Sequence, residues 1–472
     1  MFEFSGFRDG HCHPLFAERE SAGPNISGAK SKSEVVTLIR DYLASHPDAD
    51  WIDCGSYEPG LYADQPLNAA TLDEASAGVP IVVHAADHHS IWVNTAALRV
   101  AGLTETVPLV SGGSIDVDAY GSPTGVLREW NAMNLIYAHQ PSPNLESDLQ
   151  AFSRAQERLL SAGVVAVQEA WIDRGMPEVY IEASRRGLLK LRVNLAVRIS
   201  AEAWQEDLRF AKATRSAIRD VADPLLTANT VKVFVDGVFG SGTALSQSPY
   251  CDGHAAEPVW QIDELRRMAL AADNAGFQLH FHAIGDQAVS IAVDTVEHLE
   301  LCNGWVDRLP VIAHAELVSA ADLTRIRRLG IVVCQQPIWA TEGASVQQVR
   351  DLLGDSVAEQ LYPIRTLLDA GIRVSFGSDW PVSDPEPLPG LYAAATRMQP
   401  SSQLPPLNAS EAIPLPQALR SYSDEVAYQL GQDPMADRVI LDTDLTTCSP
   451  AELLAAKVVS VTIADKLVWH AN

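Results

Sequence analysis

From about residue 146 the chain alternates stretches of helical periodicity with short apolar runs. The stretch 146–163, ESDLQAFSRAQERLLSAG, ends at a glycine, which is common just past a helix end. Its apolar residues fall at near-helical spacing: Leu149, Phe152, Leu159 and Leu160. An apolar run, VVAVQEA, follows at once and is predicted to be a buried strand.

The same alternation produces eight strand candidates. They are FRDGHCH (7–13), VVAVQEA (164–170), LRVNLAVRI (191–199), TVKVFVDG (230–237), FQLHFHAIGD (277–286), PVIAHAE (310–316), VVCQQP (332–337) and VSFGSDWP (374–381). Strands that alternate with helices predict a parallel sheet, and eight of them allow closure into an α/β fold of the (β/α)8 TIM-type barrel class. An open, doubly wound sheet is the alternative.

Two regions lie outside this pattern. Residues 14–145 separate the first two strand candidates by far more chain than a crossover requires, which predicts an inserted subdomain. After residue 435, DRVILDTDL and VVSVTIADKLVWH alternate apolar and polar positions as half-exposed strands do. We therefore expect a barrel over 1–435 that contains the insertion, followed by a small β appendage over 436–472.

The composition is that of a folded protein, with 47% apolar and 20% charged residues. No stretch approaches the roughly 18 apolar residues of a membrane span, and the start lacks a signal pattern, so we expect a cytoplasmic protein. The six cysteines include no Cys-x-x-Cys pair, which leaves a zinc ribbon unsupported. The net charge of −26 repels phosphate backbones and anionic lipids. We expect a small-molecule substrate, no nucleic-acid or membrane partner, and a homodimer as a possible assembly.

Polar residues concentrate at the predicted strand ends, where parallel barrels carry their catalytic groups. They are His11 with His13, Lys232 with Asp236, His280 with His282, and the single residues His314 and Asp379. Residues two apart on a strand point to the same face, so each pair shares a direction. Each histidine alone is most simply explained as a hydrogen-bonded or exposed imidazole, but the conjunction indicates one shared site.

This set of residues suits a pair of divalent metal ions. Imidazole nitrogens and carboxylates bind zinc and similar ions, which lower the pKa of bound water from 15.7 to about 7. Lys232 is the exception, because an ammonium group cannot bind a cation. It would have to be deprotonated or carry CO2 as a carbamate, whereas a lysine that snorkels or pairs with Asp236 is the simpler explanation. Glu169, which follows the second strand candidate, is either a satisfied acceptor or a further ligand.

Together, DGHCH, VKVFVDG, HAIGD, AHAE followed by QQP, and GSDWPV resemble motifs of the amidohydrolase superfamily, in particular its YtcJ-like branch. Two stretches of the insertion, LDEASAGVPIVVHAADHHSIWVNTAALRVAGL and GSPTGVLREW, are similar to that branch as well. The resemblance extends from about residue 6 to the end. It implies a metal-dependent (β/α)8 barrel with a substrate-side insertion and a β-sandwich appendage. Because the chain begins almost at the His-x-His pair, we expect either an incomplete appendage or a chain that lacks its natural start.

The resemblance also implies roles for individual residues. The metal ligands would be His11, His13, Lys232, His282, His314 and Asp379, with carbamylated Lys232 between two ions, most simply zinc. The implied substrate-side residues are His89 and Asn94, the latter with a structural role as the alternative. Trp380 follows the strand-eight aspartate, and we expect it at the pocket mouth; packing against the barrel rim explains it equally well.

The activity implied by the resemblance is hydrolysis of an amide or related non-peptide carbon–nitrogen bond. A metal-activated hydroxide would attack the carbonyl carbon, with Asp379 as general base and then general acid. Ester, lactone or phosphotriester hydrolysis and ring deamination are alternatives, since fold and metal centre do not determine the substrate. A catalytically inactive binding or assembly barrel is an alternative of another class. A dinucleotide enzyme is weaker, because no Gly-x-Gly-x-x-Gly follows an early strand.

Overall fold

The computed structural model describes residues 1–57, 66–104, 107–110, 112–141, 143–433 and 437–471. The chain divides into two compact units. Residues 1–14 and 149–472 form the barrel unit, and residues 15–148 form the insertion unit. The domain limits expected from the sequence, 14–145 for the insertion and 436–472 for the appendage, stay predictions. Among the described helices, none has both the length and the apolar character needed to cross a bilayer.

The described strands, in chain order, are β1 (Phe2–Phe4), β2 (Phe7–Cys12), β3 (Ile52–Tyr57), β4 (Ile81–Ala85), β5 (Ser90–Val93), β6 (Ser114–Val117), β7 (Pro123–Arg128), β8 (Val164–Ile172), β9 (Arg192–Ile199), β10 (Leu226–Phe234), β11 (Gln278–Ala283), β12 (Val311–His314), β13 (Val332–Gln335), β14 (Arg373–Phe376), β15 (Asp437–Leu441), β16 (Val458–Ile463) and β17 (Lys466–His470).

The described helices are α1 (Pro14–Glu20), α2 (Lys32–Ser45), α3 (Ala69–Asp73), α4 (Thr95–Val100), α5 (Trp130–Tyr137), α6 (Leu145–Ser161), α7 (Met176–Arg185), α8 (Trp204–Val221), α9 (Ile262–Asn274), α10 (Asp286–Asn303), α11 (Ala320–Leu329), α12 (Ala344–Leu353), α13 (Asp355–Ala358), α14 (Ile364–Asp369), α15 (Pro387–Thr396), α16 (Leu415–Ser421), α17 (Asp424–Gln429) and α18 (Pro450–Ala455).

Eight parallel strands of the barrel unit form one curved sheet in the order β14–β13–β12–β11–β10–β9–β8–β2. Each overlaps one of the eight strand candidates, and chain order equals sheet order from β8 to β14. All six residues of β2 are buried, as expected for a strand covered on both faces. The predicted (β/α)8 TIM-type barrel is thus confirmed, and the open doubly wound alternative is wrong.

Backbone hydrogen bonds join the first barrel strand to the segment that follows the last one. The His13 amide donates to the Trp380 carbonyl at 2.8 Å, and the Asp379 amide donates to the His11 carbonyl at 2.7 Å. We call these two bonds the seam. Gly377 lies at the same place, and a β-carbon there would be 2.7 Å from the His11 amide nitrogen. Glycine therefore allows the two chain segments to approach each other closely.

A four-stranded antiparallel sheet in the order β1–β15–β16–β17 belongs to the barrel unit. Strand β1 pairs with β15, so the segment just before β2 is part of this sheet. The buried carboxylate of Asp437, at the start of β15, accepts hydrogen bonds from Arg192 at 2.9 Å and from Arg8 at 3.3 Å. Because Arg8 lies on β2 and Arg192 on β9, these ion pairs fasten the small sheet to the barrel strands.

The insertion unit contains a five-stranded mixed sheet in the order β3–β4–β5–β7–β6. Alternate residues of β4 point to opposite faces of this sheet. Ile81, Val83 and Ala85 join one apolar core with residues of α2, while Val82 joins a second core with residues of α4 and α5. The sheet is therefore covered by helices on both faces and has a core of its own.

Candidate metal centre

The barrel brings the predicted polar residues to the carboxyl ends of its strands. His11 lies on β2 with His13 just beyond it, His314 is the last residue of β12, and Asp379 follows β14 by three residues. Lys232 lies on β10, where it pairs in register with His280 of β11. Parallel strands end at one rim of a barrel, so residues far apart in sequence meet there.

Three of the predicted ligands form a compact group. Ligand atoms of His11, His314 and Asp379 all lie within 4.8 Å of one another, and all three residues are buried. Asp379 Oδ1 lies 3.3 Å from His11 Nε2 and 2.9 Å from His13 Nε2. One carboxylate therefore contacts both imidazoles of the His-x-His pair across the seam.

Lys232 is part of the same group. Its side chain is buried, and Nζ lies 3.1 Å from His11 Nε2. The sequence offered Asp236 as a simple partner for Lys232. In the structure the Asp236 carboxylate accepts hydrogen bonds from the amides of Leu245 at 2.9 Å and of Ile284 and Gly285, both at 3.0 Å. Burial lowers the pKa of the Lys232 amine to about 7, with a partial opposing effect from Asp379. A large fraction of this amine is thus neutral near pH 7, and carbamate formation requires the neutral form.

His282 and His314 lie side by side at the ends of β11 and β12. Their ring centroids are 4.6 Å apart, and the His314 centroid is 4.9 Å from that of His11. In this structure His282 Nε2 lies 3.2 Å from the carbonyl of Gly237. His314 Nδ1 lies 2.9 Å from Gln336 Oε1, which orients the ring. His282 therefore joins the group through ring contact with His314.

The backbone is strained at two of these positions. His314 has φ +74° and Asp379 has φ +55°, a left-handed conformation that is uncommon outside glycine. The buried carboxylate of Asp9 supports the loop of Asp379, because it accepts from the Ser378 amide at 3.0 Å, the Ser378 hydroxyl at 2.5 Å and the His11 amide at 3.0 Å. Burial raises the pKa of Asp9 to about 6 despite these bonds. Asp9 thereby holds two candidate ligands in place.

The protonation states of His11 and Asp379 suit cation binding. Burial, followed by the charge of Lys232, lowers the pKa of His11 well below its usual value, so its imidazole is neutral. Burial opposes ionisation of Asp379, but His11 and His13 outweigh it and hold its pKa well below the usual value. A neutral imidazole and an ionised carboxylate are the forms that bind metal ions.

Two buried polar atoms support the same conclusion. His13 Nδ1 and Glu169 Oε1 lie 3.7 Å apart, and neither has a hydrogen-bond partner among the described residues. The other carboxylate oxygen of Glu169 accepts from the Tyr180 hydroxyl. Buried polar atoms are ordinarily paired, so an unpaired nitrogen and carboxylate oxygen beside three buried ligands fit a site built for a cation. Glu169 is thus only half satisfied as an acceptor.

The remaining predicted residues lie in other surroundings. In the insertion unit, His89 Nδ1 lies 2.8 Å from Glu129 Oε2, and Asn94 is a fully buried helix cap whose side chain accepts from the Ala97 amide. Trp380 is buried, with the guanidinium of Arg158 5.1 Å from its ring centroid. The substrate-side roles assigned to His89, Asn94 and Trp380 stay predictions.

His280, which the sequence placed among the polar strand-end residues, was given no role by the resemblance. His280 Nε2 lies 2.8 Å from His11 Nδ1, and the His280 side chain is fully buried. Its signal is the second His-x-His in the chain, HFH on β11, since alternation points both histidines the same way. A metal-binding histidine usually has its second ring nitrogen held by a hydrogen-bond partner, and His280 occupies that position for His11.

Comparisons with known proteins agree with this geometry. A profile described as the amidohydrolase family matches residues 4–469. The putative amidohydrolase YtcJ of Bacillus subtilis is 26% identical, over 99% of this chain and 89% of its own. The N-substituted formamide deformylase of Arthrobacter pascens is 26% identical, over 95% and 84%. Protein LONG AFTER FAR-RED 3 of Arabidopsis thaliana is 27% identical, over 93% and 77%.

Solved structures show the same fold. An uncharacterized metal-dependent hydrolase of Pyrococcus horikoshii superposes with a TM-score of 0.71 at 22% identity, over 94% of this chain and 87% of that one. A second, from Pyrococcus furiosus, has a TM-score of 0.69 at 22% identity, over 94% and 88%. Because the family profile spans nearly the whole sequence and YtcJ is among the relatives, the chain belongs to the amidohydrolase family, as its motifs predicted.

Proposed function

We propose that this chain is a metal-dependent hydrolase that cleaves an amide or related non-peptide carbon–nitrogen bond. The observation that carries the proposal is the convergence of His11, His314 and Asp379, whose ligand atoms lie within 4.8 Å of one another at the carboxyl end of the barrel. Barrel enzymes place their chemistry at that end. Membership of the amidohydrolase family supports hydrolysis as the class of reaction.

The buried nitrogens and carboxylates described above fit divalent metal ions. We propose that His11, His13, Lys232, His282, His314 and Asp379 would hold two zinc ions, with Lys232 as a carbamate. When bound, such ions lower the pKa of water and polarise a carbonyl oxygen. The buried position of Lys232 supports the carbamate, because burial lowers the pKa of its amine to about 7 and carbamate formation requires the neutral amine.

Asp379 is the residue proposed to move the proton. Its carboxylate is ionised and ends at the rim, so it can take a proton from the attacking water and release it to the leaving nitrogen. His13, 2.9 Å from Oδ1, orients the carboxylate while it does so. General acid–base catalysis of this kind contributes about 10² to 10⁴ in rate.

The carbon–nitrogen specificity draws on one relative. The Arthrobacter pascens protein is named as an N-substituted formamide deformylase, which acts on a carbon–nitrogen bond. N-substituted formamides are therefore the first compounds to assay. Small amides, esters, lactones, phosphotriesters and amino-substituted rings complete the panel, because a metal centre of this type serves all of these reactions.

The test compares Asp379→Asn with wild type after metal loading. We expect kcat per bound metal to fall by about 10² to 10⁴, because the amide keeps a carbonyl oxygen that can contact a metal but cannot take up a proton. Asp355→Asn, an exposed aspartate of the same unit, is the control and should keep full activity. An Asp379→Asn protein that retains both metal and activity would refute the role of Asp379.

The panel separates the alternatives. Turnover of esters, lactones, triesters or rings in preference to amides would support the proposed metal centre but contradict an amide as the substrate. No turnover and no bound metal would favour the catalytically inactive binding barrel. We further propose a small-molecule substrate, no nucleic-acid or membrane partner, and a homodimer. The net charge of −26 supports the absence of nucleic-acid and membrane partners, and light scattering tests the homodimer.

A further inference from the structure

The insertion unit contains a second group of metal-binding side chains. Ligand atoms of Glu20, His84 and His88 all lie within 4.8 Å of one another. Asp53 adjoins them, with Oδ1 2.5 Å from His84 Nε2. All four residues belong to the insertion unit, so this group, which we call the insertion cluster, shares no residue with the candidate metal centre of the barrel.

Each imidazole of the insertion cluster is held from both sides. His88 Nε2 lies 2.6 Å from Glu20 Oε2, and its Nδ1 lies 3.3 Å from the Ala86 carbonyl. His84 Nε2 faces Asp53, and its Nδ1 lies 3.2 Å from the Tyr137 hydroxyl. Both Nε2 atoms thus meet carboxylates while both Nδ1 atoms meet supporting oxygens. Metal-binding histidines are commonly supported through their second nitrogen in this way.

The backbone is shaped to bring these side chains together. His88 has φ +57°, a conformation that favours glycine, yet its side chain is buried against Glu20. A β-carbon at Gly55 would lie 1.2 Å from Glu20 Oε1, so glycine leaves room for that carboxylate in its present position. The conformation of His88 and the close approach at Gly55 thus allow the Glu20 carboxylate to lie against the His88 ring.

The insertion cluster places two carboxylates beside two imidazoles. Glu20 Oε2 and Asp53 Oδ1 each lie within hydrogen-bond distance of an imidazole nitrogen, and the two rings stack with centroids 5.4 Å apart. Imidazole nitrogens and carboxylate oxygens form a donor set that suits zinc and similar divalent ions when the imidazoles are neutral.

We propose that Glu20, His84 and His88 bind a divalent transition-metal ion such as zinc, with Asp53 as a fourth ligand, at a structural site of the insertion unit. Tetrahedral zinc with ligand bonds of about 2.0 to 2.2 Å needs donor atoms about 3.4 Å apart. The donor atoms of Glu20, His84 and His88 lie within 4.8 Å of one another, so their longest separation would close by at most about 1.4 Å. The contacts of His88 with Glu20 at 2.6 Å and of His84 with Asp53 at 2.5 Å would open by about 0.8 to 0.9 Å. Side-chain rotation can supply both changes. Such an ion would link the end of α1, strands β3 and β4 and the turn after β4.

The test uses the full-length chain, stripped with a chelator and titrated with Co²⁺ and with Zn²⁺. In a His11→Ala/His13→Ala background, which removes two ligands of the barrel centre, we expect about one equivalent of cobalt with a tetrahedral absorption spectrum. Adding His88→Gly should weaken that binding at least 100-fold. Glycine suits the left-handed backbone at position 88, so this variant removes a ligand and relieves strain.

His46→Ala is the matched control, because His46 is an exposed histidine of the same unit whose ring stacks on Tyr42. It should bind metal as its parent does. Should the double-alanine background not fold, His88→Gly alone is compared with wild type by elemental analysis, and one equivalent fewer is expected. Equal metal content in His88→Gly and wild type would overturn the proposal and leave two histidine–carboxylate ion pairs as the whole function of the insertion cluster.

Discussion

At the scale of single residues, the candidate metal centre depends on side chains that position the candidate ligands through hydrogen bonds. His280 contacts His11 Nδ1 and leaves His11 Nε2 to face Lys232 and Asp379. Asp9 similarly fixes the loop that carries Asp379. Ligands positioned in this way need little reorganisation when an ion binds, and replacing the residue behind a ligand typically lowers metal affinity by about 10- to 100-fold.

We therefore predict that His280→Ala lowers zinc affinity by about 10- to 100-fold, because His11 loses the partner that orients its ring. Competition with a chromogenic chelator measures the affinity. His280→Gln is the comparison variant. Its amide oxygen can accept from His11 Nδ1, so we expect it to keep much of the zinc affinity that His280→Ala loses. Equal loss in both variants would mean that His280 acts through packing alone.

At the scale of elements, the insertion unit depends on the start of α4. The Asn94 side chain accepts from the amides of Ala97 and Ile81, both at 3.0 Å, and donates to the carbonyls of Ser76 at 2.8 Å and Val79 at 2.9 Å. One buried amide thus caps a helix and ties it to strand β4 and the loop before that strand. These bonds argue for the structural role of Asn94.

Asn94→Ala should destabilise the insertion unit by about 2 to 4 kcal/mol, since it removes a cap and leaves buried groups unpaired. Urea unfolding followed by circular dichroism measures the loss. Asn68→Ala is the control: Asn68 caps α3 from an exposed position through the Thr71 amide at 3.0 Å, and its loss should amount to about 1 kcal/mol. Equal losses at the two positions would contradict this account.

The elements also differ in how well the sequence predicts them. The eight barrel strands and the meeting of the candidate ligands at their ends were predictable, because period and topology place such residues at one rim. The insertion cluster was not, because Glu20 ends a helix while His88 lies in a turn 68 residues later. No rule of periodicity brings a helix end and a turn together; only the mixed sheet of the insertion unit does.

At the scale of the whole molecule, the proposed cations would act together with a net charge of −26. Ions that bind only the folded chain stabilise it by mass action, by about 4 kcal/mol at a thousand times Kd. Divalent ions also offset part of the repulsion among excess carboxylates. Stability should therefore depend on metal content.

Removing metal with a chelator should lower the Tm of the wild-type protein by roughly 5 to 10 °C. Differential scanning calorimetry at fixed ionic strength measures the shift, and added zinc should reverse it. In His11→Ala/His13→Ala the shift should shrink, whereas His254→Gln, which alters a histidine paired with Asp252 on the surface, should keep it in full. A Tm that changes neither with chelator nor with added zinc would contradict metal binding in the folded state.

The seam has a consequence for biosynthesis. Its two bonds connect positions 11 and 13 with positions 379 and 380, so the histidines leave the ribosome long before the aspartate that faces them. The nascent chain cannot form the complete candidate metal centre until its last barrel strand has docked against its first. Metal loading should accordingly be a late, post-translational event, governed by the ions available to the finished protein.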